Sequence, residues 1–221
     1  MDETKTHESL PRSLYRVVTA LSRAMELRDS HTVRHQSAVS GLARLIGQEM
    51  GLSTLQINGI RLGAVVHDIG KVGVPLEIIT KPTQLSPAER LLMREHPILG
   101  AQVLGNIGAP WPLTSMVLQH HERLDGSGYP HGLSGSDILI DAQIIAVADI
   151  TGAMLTDRPY RKALSRDTVI ALLLESRGSK LNSDAVDIMI RFLETQGRGV
   201  AAPPGAPLTD LAPLIAHLKR H

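Results

Sequence analysis

Leu62-Gly63-Ala64-Val65-Val66-His67-Asp68-Ile69-Gly70-Lys71 is an apolar run that stops at an imidazole and a carboxylate side by side. A neighbouring His and Asp can ligate one metal ion, and the second oxygen of the carboxylate can reach another. Further ligand types follow at His96, His120-His121 and Asp149, with His31 and His35 upstream. Most lie on or beside apolar, helix-like segments, where a ligand can be held rigidly.

Outward from this stretch the period is helical. Leu14, Val17, Val18, Leu21 and Met25 recur at steps of three and four, as do Val39, Leu42, Ala43 and Ile46, with Gly51 as a stop. Ser53 is placed to cap a helix reaching His67. Ser86-Pro87 with Glu89 is a second helix start. Residues 113–121, 138–155, 165–176 and 183–194 read as further helices. Residues 122–137 hold Gly126, Gly128, Pro130, Gly132 and Gly135, a density that marks a loop. No repeat and no convincing sheet emerges. The expected fold is all-α: a lead-in segment and helix over 1–24, one helical bundle domain over 25–196, and a Gly/Pro linker with a short terminal helix over 197–221.

Apolar residues make up 43% of the 221 and charged residues 20%, enough to bury one core. A net charge of +1 gives no electrostatic case for DNA or an acidic membrane surface. The absence of cysteine removes disulfides and thiolate ligands, so a metal site must use His and carboxylates, which suits Fe, Mn, Zn or Ni. The first ten residues lack the apolar core of a signal peptide, and no run approaches the ~20 apolar residues that span a bilayer. A cytoplasmic chain without membrane insertion is the expectation. The first ~25 residues are too few for a sensory module.

Each candidate has a plain structural alternative. His31 and His35 share a helix face, but Arg28, Asp29 and Arg34 also suit a solvated helix start. His67-Asp68 could end a helix as an ordinary cap. His96 precedes Pro97 and could mark a helix boundary. His120-His121 could complement a helix dipole. Lys71 could be a solvated helix-end lysine. Asp149 resists such treatment: it interrupts the apolar stretch 144–150, and a buried carboxylate wants a metal, a cation or hydrogen bonds. Together the plain readings require five separate coincidences.

In order, the residues run H…HDIGK…H…HHERLDGSGYP…D…DRPYRKAL, which resembles the HD-GYP domains, the cyclic di-GMP phosphodiesterase branch of the HD metal-dependent phosphohydrolases. The match covers about residues 25–193. The resemblance implies an all-helical fold, a centre of two divalent ions (Fe or Mn, with a third as a candidate), and hydrolysis of cyclic di-GMP to pGpG and, in some members, GMP. It also implies His35, His67, Asp68, His96, His120, His121 and Asp149 as metal ligands, with Asp68 bridging. His35, His67 and Asp149 would serve one ion, and His96, His120 and His121 the other. A water bridging two cations loses its proton near neutral pH and becomes the nucleophile. Lys71 would act beside Asp68, donating to a phosphate oxygen or to that water.

Tyr129 offers a stacking face and a hydroxyl to a guanine, and the surrounding loop a contact for a diguanylate cyclase partner; a structural turn is the alternative. Arg158 and Arg161 suit bidentate phosphate recognition, against a salt bridge with Asp157. The chain departs from the family twice. His31 stands where some members have a Glu that supports a third ion, which favours two ions over three. Lys180-Leu181-Asn182-Ser183 stands where many have Gln-Phe-Asp-Pro. Two other function classes compete: another metal-dependent nucleotide phosphohydrolase, and a non-catalytic module that recruits a cyclase or another signalling protein.

Overall fold

The computed structural model describes residues 18, 20, 30–157 and 162–196, with 30–34 and 196 described by their backbone alone. The expected helix at 14–25, apart from Val18 and Ala20, and the linker and terminal helix after 196 lie outside the described residues.

Helix α1 (Ser30–Glu49) turns at Gly51 into α2 (Thr54–Val66). The Ser53 hydroxyl accepts from Gln56 N at the start of α2, the cap expected there. A 3-10 turn (Ile69–Gly73) and two short helices follow, α3 (Leu76–Ile79) and α4 (Pro87–Met93). Ser86 and Glu89 form a reciprocal capping box at the start of α4. Next come α5 (His96–Leu104) and α6 (Leu113–Gln119), then the glycine-rich loop, which ends in a 3-10 turn at Gly135–Asp137. Helices α7 (Ile140–Met154), α8 (Arg166–Ser176) and α9 (Ser183–Gln196) complete the described chain. No strand occurs among the described residues, only isolated bridges pairing Asp125 with Ser134 and Arg177 with Leu181.

Val39, Ala43 and Ile46 on α1 face a core shared with Ile60 and Ala64 of α2 and with Met116 and Val117 of α6. Helix α7 runs through the middle, burying Ala142, Ile144, Ile145, Ala146, Val147, Ala148, Thr151 and Gly152. Each fully buried aliphatic contributes roughly 1.5–3 kcal/mol. Asp149 is therefore carried on the most enclosed helix of the bundle. Helix α5 packs on the 3-10 turn after Asp68 and on α6. Gly70 makes this contact feasible, because a Cβ there would overlap the His96 carbonyl and Gly100 N.

The divergent segment 180–183 is built into the fold. Lys180 O accepts from Leu124 N, Leu181 is buried, and Asn182 Oδ1 accepts from Ala185 N at the start of α9. Asn182 Nδ2 also donates to Gln143 Oε1. An Asn here does the capping that an Asp would do.

Candidate metal centre

His67 is the C-cap of α2, and Asp68 follows it in the bridge region at φ −96, ψ 7. The break between helix and 3-10 turn lets consecutive side chains face one another, with His67 Nε2 3.3 Å from Asp68 Oδ2. Both are buried. His96 opens α5, His120 caps α6, and Asp149 comes from α7. With His35 from α1, five chain segments converge.

Their potential ligand atoms form three overlapping groups, each within 4.8 Å: His35, His67 and Asp149; His67, Asp68 and His120; His96, His120 and His121. His67 and His120 each belong to two groups, so the sites make one continuous row.

Three imidazoles are oriented by the same device. His67 Nδ1 donates to Ala64 O at 2.7 Å, His96 Nδ1 to Met93 O at 2.8 Å, and His120 Nδ1 to Val117 O at 2.6 Å. A carbonyl can only accept, so each Nδ1 carries a proton and each ring turns its Nε2 inward, as a lone pair wherever the ring is neutral. His96 Nε2 and His120 Nε2 then stand 3.2 Å apart as two lone pairs. Burial depresses His96 to about 4 and holds His120 well below the usual imidazole range, so neither supplies a proton between them near neutral pH. Such a pair is satisfied by a cation. His67 Nε2 likewise has no hydrogen-bond partner among the described residues although it is buried. His donors with carboxylates and no thiolate fit a divalent first-row ion.

The carboxylates carry the negative side. Burial acts to raise Asp68, but Lys71, His67 and His96 outweigh it and hold it well below the carboxylate range. Lys71 Nζ donates to Asp68 Oδ2 at 2.6 Å, so this lysine is paired rather than solvated. Asp68 Oδ1 faces His96 Nε2 at 3.3 Å. Burial also acts to raise Asp149, which the hydrogen bond from His35 Nε2 at 2.8 Å and the charge of His67 more than offset. Burial acts to lower His67, yet Asp68 and Asp149 raise it above the ordinary value. The pocket around His67 Nε2 attracts positive charge. Burial pushes His121 down to about 3.

The glycine-rich loop returns to this row. Tyr129 stacks on His121, with ring centroids 4.6 Å apart at 23°. Its other face is covered by the Arg94 guanidinium, 5.0 Å from the centroid. A base stacking on Tyr129 would have to displace one of them. Glu122, buried beneath the loop, accepts from His131 N at 2.8 Å and Leu133 N at 3.1 Å. Gly128 passes so close to the Glu122 backbone that a Cβ would overlap it. Arg123 Nη1 donates to the carbonyls of Glu122 and His120.

Glu122, Arg94 and Arg123 escaped the sequence reading. The signal for Glu122 was its place between His121 and a glycine-rich loop whose amides need acceptors. The side chain of His31 and the whole of Arg158 and Arg161 lie outside the described residues.

The HD domain family matches residues 19–184. The cyclic di-GMP phosphodiesterase response regulator RpfG of Xanthomonas campestris is 36% identical over 181 residues, covering 79% of this chain and 47% of the relative. A cyclic di-GMP phosphodiesterase of Thermotoga maritima is 38% identical over 181 residues, covering 81% and 49%. The chain spans about half the length of these curated relatives. Among solved structures, Bd1817, an HDG"Y"P protein from Bdellovibrio bacteriovorus, shares the fold with a TM-score of 0.63 at 23% identity, over 79% of this chain and 57% of that one. No helix among the described residues is long and apolar enough to cross a membrane. Family membership implies divalent metal binding, which the His/Asp row fits, and the chain belongs to the HD domain family, carrying the Gly128-Tyr129-Pro130 loop of its HD-GYP branch.

Proposed function

We propose that this domain is a metal-dependent phosphodiesterase that hydrolyses cyclic di-GMP to linear pGpG. The observation that carries the proposal is the continuous row of ligand atoms, in which the lone pairs of His96 and His120 face each other and His67 Nε2 is buried without a partner. The names of the relatives supply the substrate class. His35, His67 and Asp149 would hold one ion, His96, His120 and His121 a second, and Asp68 would stand between them. Fe and Mn suit this donor set. His31 is the candidate for a third ion.

When bound, divalent cations neutralise phosphodiester oxygens and make a water acidic enough to attack at neutral pH. The protein's share is positioning. The carbonyls of Ala64, Met93 and Val117 fix three imidazoles in the tautomer that ligates. Lys71 balances Asp68 and is assigned to donate to a phosphate oxygen or to the attacking water. Arg158 and Arg161 are assigned the remaining phosphate oxygens. The outer part of the glycine-rich loop, exposed at Asp125 and Ser127, is left for a partner such as a diguanylate cyclase domain. The cytoplasm is the compartment in which such a messenger would be met.

The test is to load the purified protein anaerobically with Mn or Fe and offer cyclic di-GMP beside a panel of cyclic dinucleotides and mononucleotides. Release of pGpG from cyclic di-GMP is the expected result. Hydrolysis confined to nucleoside phosphates would assign a different phosphohydrolase, and tight binding without turnover a recruitment module.

A further inference from the structure

The imidazoles of the row differ in what orients them. His67, His96 and His120 are each locked by a backbone carbonyl, and His35 by the Asp149 carboxylate. The His121 ring has no such hydrogen bond among the described residues; its backbone carbonyl accepts from Tyr129 N, and its ring contacts are with His96, His120 and Tyr129. His120 lies tilted against it at 4.1 Å, and His96 meets it edge-on at 5.0 Å. Tyr129 alone covers a face in stacked geometry. Tyr129 is in turn pressed down by Arg94, whose place is set by the junction of α4 and α5, two residues before His96.

We infer that Arg94 and Tyr129 are positioning residues for His121: the guanidinium caps the phenol ring, and the phenol ring holds the imidazole in its ligating orientation. This rests on the metal-centre reading of the proposed function, and it changes the role of the loop tyrosine. With a ring on one face and a guanidinium on the other, Tyr129 serves the protein's own centre in place of a guanine. Three features of the structure agree. The stack runs from the buried row to the surface without a gap, Glu122 anchors the loop that delivers Tyr129, and Gly128 allows the close approach that this anchoring needs.

The decisive measurement is metal affinity, read by titrating Mn into apo-protein against a chelator, with turnover recorded separately. Tyr129→Phe keeps the ring and should bind both ions as the parent does. Tyr129→Leu removes the plate and should weaken the site of His96, His120 and His121 by about 10- to 100-fold, the usual cost of losing a group that orients a ligand. Arg94→Ala, a change at an exposed residue outside the core, should weaken it by about 2- to 5-fold, the scale of an exposed cation–π contact. Arg94→Lys should restore part of that. In the Tyr129→Leu background Arg94→Ala should have no further effect, because Arg94 acts through the ring.

Parent-like metal binding by Tyr129→Leu, with only KM for the cyclic dinucleotide raised, would overturn the inference and make Tyr129 a substrate plate. Equal losses from Phe and Leu would overturn it as well, since the hydroxyl and not the ring would then matter. Additive effects of the two changes would remove Arg94 from the column. Failure of the parent protein to bind Mn at all would reject the metal reading beneath it, an outcome distinct from the other three.

Discussion

The two ends of the ligand row are built differently. At the His67-Asp68 end, each side chain is fixed by the helix that carries it: a carbonyl three residues back holds the imidazole, and Lys71 three residues on holds the carboxylate. At the His121 end, orientation arrives from a loop that folds back across the row, anchored by Glu122 and pressed down by Arg94. The first end cannot be disturbed without altering helix ends. The second can be altered through side chains that touch no ligand atom. Rigidity written into local backbone is robust; rigidity assembled from distant side chains is adjustable, and is where relatives of one fold can differ.

The largest effect is expected at the rigid end. Asp68→Ala removes the carboxylate shared by the middle of the row and strands Lys71 beside buried imidazoles. Metal content and turnover should fall together, by more than the ~10–100-fold typical of changes one shell further out. Elemental analysis of the purified variant checks this, and parent-like metal content with parent-like rate would end the assignment.

Next comes the anchor of the other end. Glu122→Ala leaves the amides of His131 and Leu133 without their acceptor. A loss of about 1–3 kcal/mol in urea unfolding is expected, with faster proteolysis inside residues 125–134. Glu122→Gln keeps one acceptor oxygen and should recover part of it. Undiminished stability in Glu122→Ala would mean that the loop is held by its own turns, and the contrast between the two ends would lose its basis.

The helix-borne half of this architecture was legible in the sequence, and the loop-borne half was not. Ser53, Ser86 with Pro87 and Glu89, and the steps of four and three through Val39, Ala43 and Ile46 announce their helices because caps and periods are local. Helix α5 was hidden: Pro97 read as a boundary after His96, whereas it occupies the first turn, where no amide is required of it. Helix α3, four residues long, is too short to show a period. The ligand types were readable because imidazoles and carboxylates on apolar helices are costly without a purpose. Their tautomers were not, since these follow from the geometry of each helix end. The contact of Arg94 with Tyr129 joins two segments that no local pattern connects. Tyr129 looked free to stack because sequence carries no record of what already covers a ring.

Acidity should separate the two ends more gently. His67 is raised because Asp68 and Asp149 outweigh its burial, whereas His96 near 4 and His121 near 3 are neutral long before neutral pH is reached. A proton on His67 Nε2 competes with an ion for the same lone pair. Affinity should therefore be level above the raised pKa of His67 and decline as pH falls through and below it. The decline should approach about tenfold per pH unit, the signature of one proton displaced. Manganese titrations from about pH 9 down to about pH 6, bracketing the ordinary imidazole value, test it. A slope of two or more would mean that more than one ligand of the row sheds a proton when the ions bind.

The smallest effect is expected one turn before His35 on α1. His31 shares that helix, and a neutral imidazole there adds no negative charge to offset a further cation. His31→Ala should leave close to two ions per chain and a turnover near that of the parent. If elemental analysis instead shows the variant losing one of three ions, the row extends beyond His35, and a third site, carried by helix α1, joins the rigid end. That result would sharpen the contrast: a further ion would then rest on ligands carried by helices, against the one beside His121, whose ring is held by the Tyr129 column.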